Sequence, residues 1–366
     1  MSILRYLGIH FNPIIYNRNP DIHSQFDMKF RASHVPTGFN EDERQRNLEA
    51  VLKFGMFDNS VKPDTDLSFV DWVIFAGTPE WCNGRNKDLY ELIIKYQLPV
   101  LILGVGGGVD IYKEKYKEVI QKAKLITVRE HTTQRALAEK GISSTFMTCP
   151  SILSAPKAYE KQIYRCSTIA LIYQATVRES VLWNGSSEDL YKFELEFYKR
   201  IIEQYGSYMK IFMVCHYIDE VPLAYRDFPD MDIRYSYDSA DYYDIYHNAD
   251  LVIGPRVHGI GVSASMLIPG IAILHDARGE TCEGFHAKTI NIQSGSDSAM
   301  KSVREVVGKV PELNRDLYAH KHNTMVEYVS TVGEAMMDRD VHYDCESDVN
   351  DKKYNLKEVK ASDIGL

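Results

Sequence analysis

Asp250-Leu-Val-Ile-Gly-Pro-Arg-Val-His-Gly-Ile-Gly-Val-Ser-Ala-Ser-Met-Leu-Ile-Pro-Gly270 is the stretch that decides the fold of this chain. Its run from Leu251 to Ile253 is short and apolar, which is typical of a strand covered on both faces. A Gly-Pro pair ends that strand, and the small residues that follow predict a helix. Ligands of open α/β sheets collect outside the carboxyl ends of strands, which is where Arg256 and His258 would lie.

Arg256 and His258 are two residues apart, so on an extended segment their side chains would point the same way and could hold one ligand together. An arginine fork binds a carboxylate or phosphate through two hydrogen bonds, and histidine titrates near neutrality. We therefore predict a catalytic role for both residues. The alternative is that they only cap the end of the strand.

Arg129 follows a second strand-like run and is the third predicted catalytic residue. Its ordinary alternative is an ion pair with Glu130. The glycine-rich run Leu103 to Asp110 also follows a strand, and the backbone N–H groups of Gly106 and Gly107 could bind an anion there. This run matches neither the dinucleotide fingerprint nor the P-loop, and a tight turn explains its glycines equally well.

Polar residues after the other predicted strands complete the candidate site, because parallel strands would bring their loops to one rim. The predicted substrate-binding residues of these loops are His10, Gln174, His216, Asp276, Arg278 and Glu283. The histidines and carboxylates show no metal-ligand spacing, so no metal and no cofactor are predicted.

Apolar strands alternate with helices along most of the chain, which predicts α/β architecture with parallel sheets. The expected organisation is two Rossmann-like domains facing each other across a cleft. We predict a first domain over residues 1–157, a second over 158–312 that carries the Arg-x-His segment, and a helix with a polar tail over 313–366. The first strand is expected at 5–11, and the last helices at 298–309 and 314–337.

Composition excludes several classes of protein. The 366 residues carry a formal net charge of −9, which argues against a nucleic-acid partner. Six widely spaced cysteines are expected to be free thiols. Residues 1–11 do not resemble a secretory signal, so the chain is predicted to be cytoplasmic, and contact with a membrane-bound substrate stays open.

The chain resembles the polysaccharide pyruvyl transferase family. The similarity lies in Ile126-Thr-Val-Arg129-Glu with the helix after it up to Ile142, in the segment from Asn248 through His258 to Ile273, and in the glycine-rich strand end at 99–108. The chain departs from the family pattern in the N-terminal turn at 8–21, so its acceptor recognition is expected to differ.

The resemblance implies a GT-B-like pair of Rossmann-type domains, the first on the acceptor side. It also implies transfer of a pyruvyl group from phosphoenolpyruvate to hydroxyls of a saccharide or lipid-linked saccharide, forming a cyclic ketal. By this resemblance Arg256 and His258 correspond to the donor-binding and catalytic pair, and Arg129 to the arginine of the first domain. The base that accepts the hydroxyl proton stays open among Asp276, Glu283, His216 and His10.

Two other functions fit the same sequence. One is a glycosyltransferase of the same two-domain plan that uses a nucleotide sugar. The other is a non-catalytic paralogue that holds an anionic saccharide. Thermal protection by phosphoenolpyruvate, by nucleoside diphosphates or by saccharides without turnover separates the three.

Overall fold

The structure is a computed structural model that describes residues 2–11, 66–79, 87–107, 114–174, 187–236, 238–275 and 278–343. Several predictions lie outside these residues: the helix expected at 40–55, the cysteines Cys82 and Cys345, and the candidate site residue Asp276.

The described residues form two parallel sheets, one of four strands in the order β1-β2-β3-β4 and one of six in the order β10-β9-β8-β5-β6-β7. The strands are β1 Val73–Ala76, β2 Val100–Val105, β3 Leu125–Val128, β4 Thr145–Phe146, β5 Thr168–Tyr173, β6 Lys210–Cys215, β7 Asp232–Arg234, β8 Leu251–Gly254, β9 Gly270–Leu274 and β10 Lys288–Asn291. This arrangement confirms the predicted α/β class with two Rossmann-like halves on a GT-B-like plan.

Helices connect the strands, as parallel pairing requires. They are α1 Ser2–Tyr6, α2 Lys87–Lys95, α3 Glu114–Gln121, α4 His131–Ala138, α5 Ser187–Tyr205, α6 Glu220–Asp227, α7 Asp241–His247, α8 Val257–Ser265, α9 Gly279–Glu283 and α10 Gly295–Met337. The central strands β2 and β8 are buried at every position, so both faces of each sheet are covered.

The larger of two apolar clusters contains residues of both halves. Successive side chains of β2 alternate between two apolar clusters: Leu101 and Leu103 pack into the large cluster that contains the second sheet, whereas Val100 and Ile102 face a smaller cluster of the first half. Because neighbouring side chains of a strand point to opposite faces, the first sheet packs on the second half with one face only.

The strand predicted at residues 5–11 is wrong. The N-terminus instead forms α1, which places Ile3 in the core, and Leu7 follows it against Gly333 of α10. Packing of this short apolar segment on a long helix, rather than its own propensity, determines its conformation.

The separate helices predicted on either side of Pro311 are one helix, α10, with the proline inside it. A proline normally breaks a helix because it lacks an N–H group and its ring crowds the preceding turn. Here both flanking turns are fixed by packing: Val310 is fully buried, and the Asn314 side chain donates to the carbonyl groups of Lys161 and Leu267 at 2.9 and 2.6 Å.

Residues 338–343 are bound to the first half, contrary to the expectation of a loosely held tail from residue 338 onward. The Lys124 ammonium donates to Asp338 at 2.8 Å, and the Tyr343 hydroxyl donates to the carbonyl of Leu98 at 3.1 Å. Since α10 begins beside β10 of the second half, it and these residues join the two halves.

Four cysteines in the described ranges, Cys149, Cys166, Cys215 and Cys282, are free and buried, as predicted. Within the same ranges no helix combines the length and apolar character that crossing a bilayer requires.

Candidate active site

Arg256 stands directly after β8, at the carboxyl end of the central strand of the six-stranded sheet. Gly254 is the last residue of that strand, and a side chain does not fit there because a Cβ would lie 2.5 Å from the Cβ of Ile172 on β5. Arg256 has extended backbone angles and is the residue before the first turn of α8. Its side chain is 14% exposed, so the guanidinium is largely withdrawn from water.

His258 lies in the first turn of α8 and is exposed, so the expectation of an extended Arg-x-His segment is wrong. The helix begins at Val257, six residues before the run of small residues that starts at Ser263. Gly259 and Gly261 permit this start because their neighbours leave no room for side chains: a Cβ on Gly259 would meet Ile172 at 2.5 Å, and one on Gly261 would meet Phe285 at 2.9 Å.

The Arg256 guanidinium is held from two sides. It forms a buried ion pair with Glu220, and its Cζ lies 4.4 Å from the ring centre of Tyr217. Glu220 also accepts the backbone N–H groups of His216 and Tyr217 at 2.9 and 3.0 Å. Within the described part of the chain, the buried Arg256 Nε has no hydrogen-bond partner.

Glu220 is a site residue that the sequence reasoning did not select. It begins α6, a helix that was not predicted; Pro222 lies in its first turn, where proline is tolerated. Its position at the end of β6, opposite an arginine at the end of β8, was the available signal. Desolvation raises the pKa of its carboxyl group, and the Arg256 charge opposes that rise.

His216 lies beside the same cluster and links it to α7. Its Nε2 is 2.6 Å from the hydroxyl of Tyr246. Burial lowers the pKa of its imidazole well below the usual value, and the nearby charges of Arg256 and His258 lower it further. His216 is therefore neutral at pH 7, and both residues of the Arg-x-His segment lie close enough to act on it.

Gln174 is buried at the end of β5, and its backbone N–H donates to Glu194 at 2.8 Å. Glu194 comes from α5 and is 1% exposed. Desolvation raises the pKa of this carboxyl group well above its usual value, and the neighbouring Glu220 adds to the rise. Both effects favour the neutral acid at this position, and the sequence did not reveal that this second acid is buried.

In the first half, Arg129 follows β3 and lies beside the glycine-rich turn. Its Nε would be 2.3 Å from a Cβ on Gly106, so only glycine allows the turn to approach this closely. Gly107 has a φ of 87° and donates its N–H to Glu130 at 2.7 Å, and the Gly106 N–H donates to the Thr78 hydroxyl at 2.9 Å. Both amides that were predicted to bind an anion therefore already donate within the protein. The ordinary alternative for Arg129 is also present, since its Nε is 3.6 Å from a Glu130 oxygen.

A short series of side chains leads from Arg129 to the helix that carries His258. The Arg129 guanidinium contacts the Cys149 sulfur at 3.7 Å, and that sulfur is 3.2 Å from the hydroxyl of Ser151. The same hydroxyl lies 3.0 Å from the position of a Cβ on Gly261, one turn after His258. The structure thus brings the strand ends of both halves to the first turns of α8.

The remaining predicted residues lie on other elements of the fold. Arg278 precedes α9, which packs against α8, and Glu283 is exposed at the end of α9. His10 is exposed after α1, whose contacts are with α10. Among the described residues there is no group of three or more His, Cys, Asp or Glu side chains that could hold a metal ion.

Comparison with solved structures finds distant similarity to sugar-nucleotide enzymes. S. aureus MnaA with UDP is 11% identical, with a TM-score of 0.45 over 75% of this chain and 79% of that one. UDP-GlcNAc 2-epimerase from Neisseria meningitidis, bound to UDP-GlcNAc, is 11% identical, with a TM-score of 0.45 over 85% of each chain. A putative UDP-N-acetylglucosamine 2-epimerase from Listeria monocytogenes is 12% identical, with a TM-score of 0.47 over 75% and 78%.

No curated protein matches the sequence. A family model does match, and it covers residues 1–277, which include Arg129, Arg256, His258 and the carboxyl ends of β3 and β8. The chain therefore belongs to the polysaccharide pyruvyl transferase family, an enzyme family.

Proposed function

We propose that this protein transfers a pyruvyl group from phosphoenolpyruvate to two hydroxyls of one saccharide unit, forming a cyclic ketal and releasing phosphate. Family membership supports the reaction class. The observation that carries the choice of donor is the buried Arg256 guanidinium, whose Nε is desolvated without a partner in the described part of the chain. A desolvated N–H group of this kind favours binding of an anionic substrate group that can accept its hydrogen bond.

Arg129 and Arg256 would bind the two charged ends of phosphoenolpyruvate, its carboxylate and its phosphate. Each arginine already has a glutamate nearby, Glu130 for Arg129 and Glu220 for Arg256. These carboxylates neutralise the two guanidinium groups in the free protein and fix their orientation. Binding the donor then depends on directed hydrogen bonds from preoriented groups, which limits the entropy lost on association.

His258 would supply the proton that starts the reaction. It is exposed in the first turn of α8, next to Arg256, and can exchange protons with solvent. Protonation of the methylene carbon converts the enol into an oxocarbenium-like centre at the carbon bearing the phosphate. A saccharide hydroxyl attacks that carbon and loses its proton to a base. Phosphate leaves, and a second hydroxyl of the same sugar closes the ketal.

The base is best sought among groups that can reach an acceptor hydroxyl. His216 is neutral, as a base must be, but its Nε2 is engaged by Tyr246 deep behind Arg256. Glu283 is exposed at the end of α9 and leaves its carboxylate accessible. We therefore favour Glu283 over His216; His10 and Asp276, of which the latter lies outside the described residues, stay open as candidates.

Release of inorganic phosphate tests the proposal. The wild-type chain, mixed with phosphoenolpyruvate and a panel of saccharide and lipid-linked saccharide acceptors, should release phosphate only when a suitable acceptor is present. His258→Asn should lower kcat by at least about 100-fold, the usual contribution of a general acid. The matched control is His322→Asn, since His322 is exposed on α10 away from the site and should leave kcat unchanged.

Two results would contradict the proposal. One is full phosphate release by the His258→Asn variant. The other is a wild-type chain whose melting temperature rises with nucleoside diphosphates and does not rise with phosphoenolpyruvate, which would indicate a nucleotide-sugar enzyme instead.

A further inference from the structure

Glu130 makes more hydrogen bonds within the candidate site than orienting Arg129 for the donor would require. Its carboxylate accepts the Gly107 N–H at 2.7 Å and the Thr133 hydroxyl at 2.9 Å, both from the first half. Its other oxygen accepts the hydroxyl of Thr281, in α9 of the second half, at 2.7 Å. Glu130 is 1% exposed and Thr281 is fully buried, so water does not compete for these bonds.

A second glutamate makes the opposite connection beside the first. Glu280, which precedes Thr281, accepts the backbone N–H of Thr132 at 3.2 Å and its hydroxyl at 2.7 Å. A glutamate of each half therefore binds a threonine of the other. We call these two contacts, Glu130 with Thr281 and Glu280 with Thr132, the interhalf hydrogen bonds. The first is buried, and the Thr132 side of the second is exposed.

The buried interhalf bond reaches the glycine-rich turn and Arg129 of the first half through short steps. Glu130 fixes the Gly107 amide, and the glycine-rich turn packs so closely on the Arg129 Nε that Gly106 has no room for a Cβ. The same Glu130 carboxylate lies 3.6 Å from that nitrogen. The turn and the guanidinium cannot shift independently of Glu130, and Thr281 ties Glu130 to the half that carries Arg256 and His258.

We propose that Glu130 is a positioning residue: through its bond to Thr281 it sets the glycine-rich turn and Arg129 in register with Arg256 and His258. This inference rests on the proposed function for its effect on catalysis. It predicts that a single hydroxyl of the second half controls how well the first half binds the donor. An ordinary structural hydrogen bond would influence stability alone.

The test compares Thr281→Val with Thr281→Ser. Valine keeps the shape of threonine and removes the hydroxyl, which leaves a buried Glu130 oxygen without that donor, whereas serine retains it. We expect the valine variant to raise the KM for phosphoenolpyruvate and lower kcat/KM by about tenfold, with kcat less affected. Amide hydrogen exchange at Gly107 should become about tenfold faster in the same variant. The serine variant should restore both quantities.

The exchange measurement needs no substrate, so it separates the two proposals. If the wild-type chain does not turn over phosphoenolpyruvate, the donor assignment fails, and Gly107 exchange still decides whether Thr281 holds the turn. Unchanged exchange in Thr281→Val overturns the inference. Faster exchange with an unchanged kcat/KM also overturns the inference, because Glu130 would then have a structural function only.

Discussion

At the scale of single residues, the cluster behind Arg256 combines two acids in different surroundings. Glu220 faces a guanidinium and two backbone N–H groups, which favour its carboxylate. Glu194 accepts one N–H from Gln174 and lies in a fully buried position, which favours its neutral acid. A neutral Glu194 lowers the cost of burying the cluster, because burying two carboxylates beside one guanidinium would cost more.

Glu194 makes the stability of the protein depend on pH. Burial raises the pKa of its carboxyl group well above the ordinary 4.5, so the folded chain keeps this proton where the unfolded chain has released it. Above about pH 4.5 the unfolded chain gains stability by releasing this proton, whereas the folded chain still holds it. The unfolding free energy therefore falls as pH rises from about 4.5 toward the pKa of the folded state. Glu194→Gln imitates the neutral acid and should lack this term.

Urea unfolding between about pH 5 and about pH 8 measures the effect. The unfolding free energy of the wild type, minus that of Glu194→Gln, should decrease steadily with rising pH. Two parallel stability curves would show that Glu194 is ionised in the folded protein.

Sequence reasoning at this scale predicted roles for Arg129, Arg256, His258 and His216 and did not select Glu194 or Glu220. Arg129, Arg256 and His216 stand at strand ends, which an apolar run followed by a polar residue makes visible. Glu194 lies in the middle of α5, an amphipathic helix in which a glutamate is ordinarily exposed. Only the packing of that helix on β5 shows that this glutamate is buried.

At the scale of elements, α10 is the part of the fold that joins the two halves. Its Asn314 and Lys321 side chains donate to backbone carbonyls of the second half. Its Tyr328 hydroxyl donates to the carbonyl of Thr148 in the first half at 2.8 Å. Apart from the wrong strand at 5–11, the predicted strands lie within about two residues of the observed ones, because their apolar runs are short and bounded by turns. The continuity of α10 through Pro311 was not predictable, since packing on both sides overrides a local signal.

Two glycines of α10 allow a test of this helix. Gly308 is exposed, and a Cβ added there would meet no atom within 4 Å, whereas a Cβ on Gly333 would lie 3.0 Å from Leu7. Gly308→Ala should raise the unfolding free energy by roughly 0.5–1 kcal/mol, because alanine loses less backbone entropy in a helix.

Gly333→Ala, the matched variant, should gain less than Gly308→Ala or should lose stability, since Leu7 and α1 must move to admit the methyl group. Chemical denaturation of both variants measures the difference. Equal gains would show that α1 does not pack on α10 as described.

At the scale of the whole molecule, the first half contacts the second at α8, where Ser151 lies beside Gly261, and at α9, where Glu130 binds Thr281. The expectation of two Rossmann-like halves came from alternating strands and helices, a pattern that parallel sheets impose. The contacts between the halves could not be predicted, because Cys149, Ser151, Glu280 and Thr281 carry no distinctive spacing. Their contacts form only when both sheets have folded.

Convergence of Arg129 and Arg256 on one ligand is the central claim, and a double-mutant cycle on phosphoenolpyruvate affinity tests it most directly. Arg129→Lys, Arg256→Lys and the double variant keep the positive charge, so Glu130 and Glu220 stay paired, but they lose the planar fork. Isothermal titration calorimetry should show weaker binding in each single variant and a coupling energy of at least about 0.5 kcal/mol between them. Single variants that bind like the wild type, or fold-changes that simply multiply in the double variant, would contradict the claim that both guanidinium groups hold the same anion.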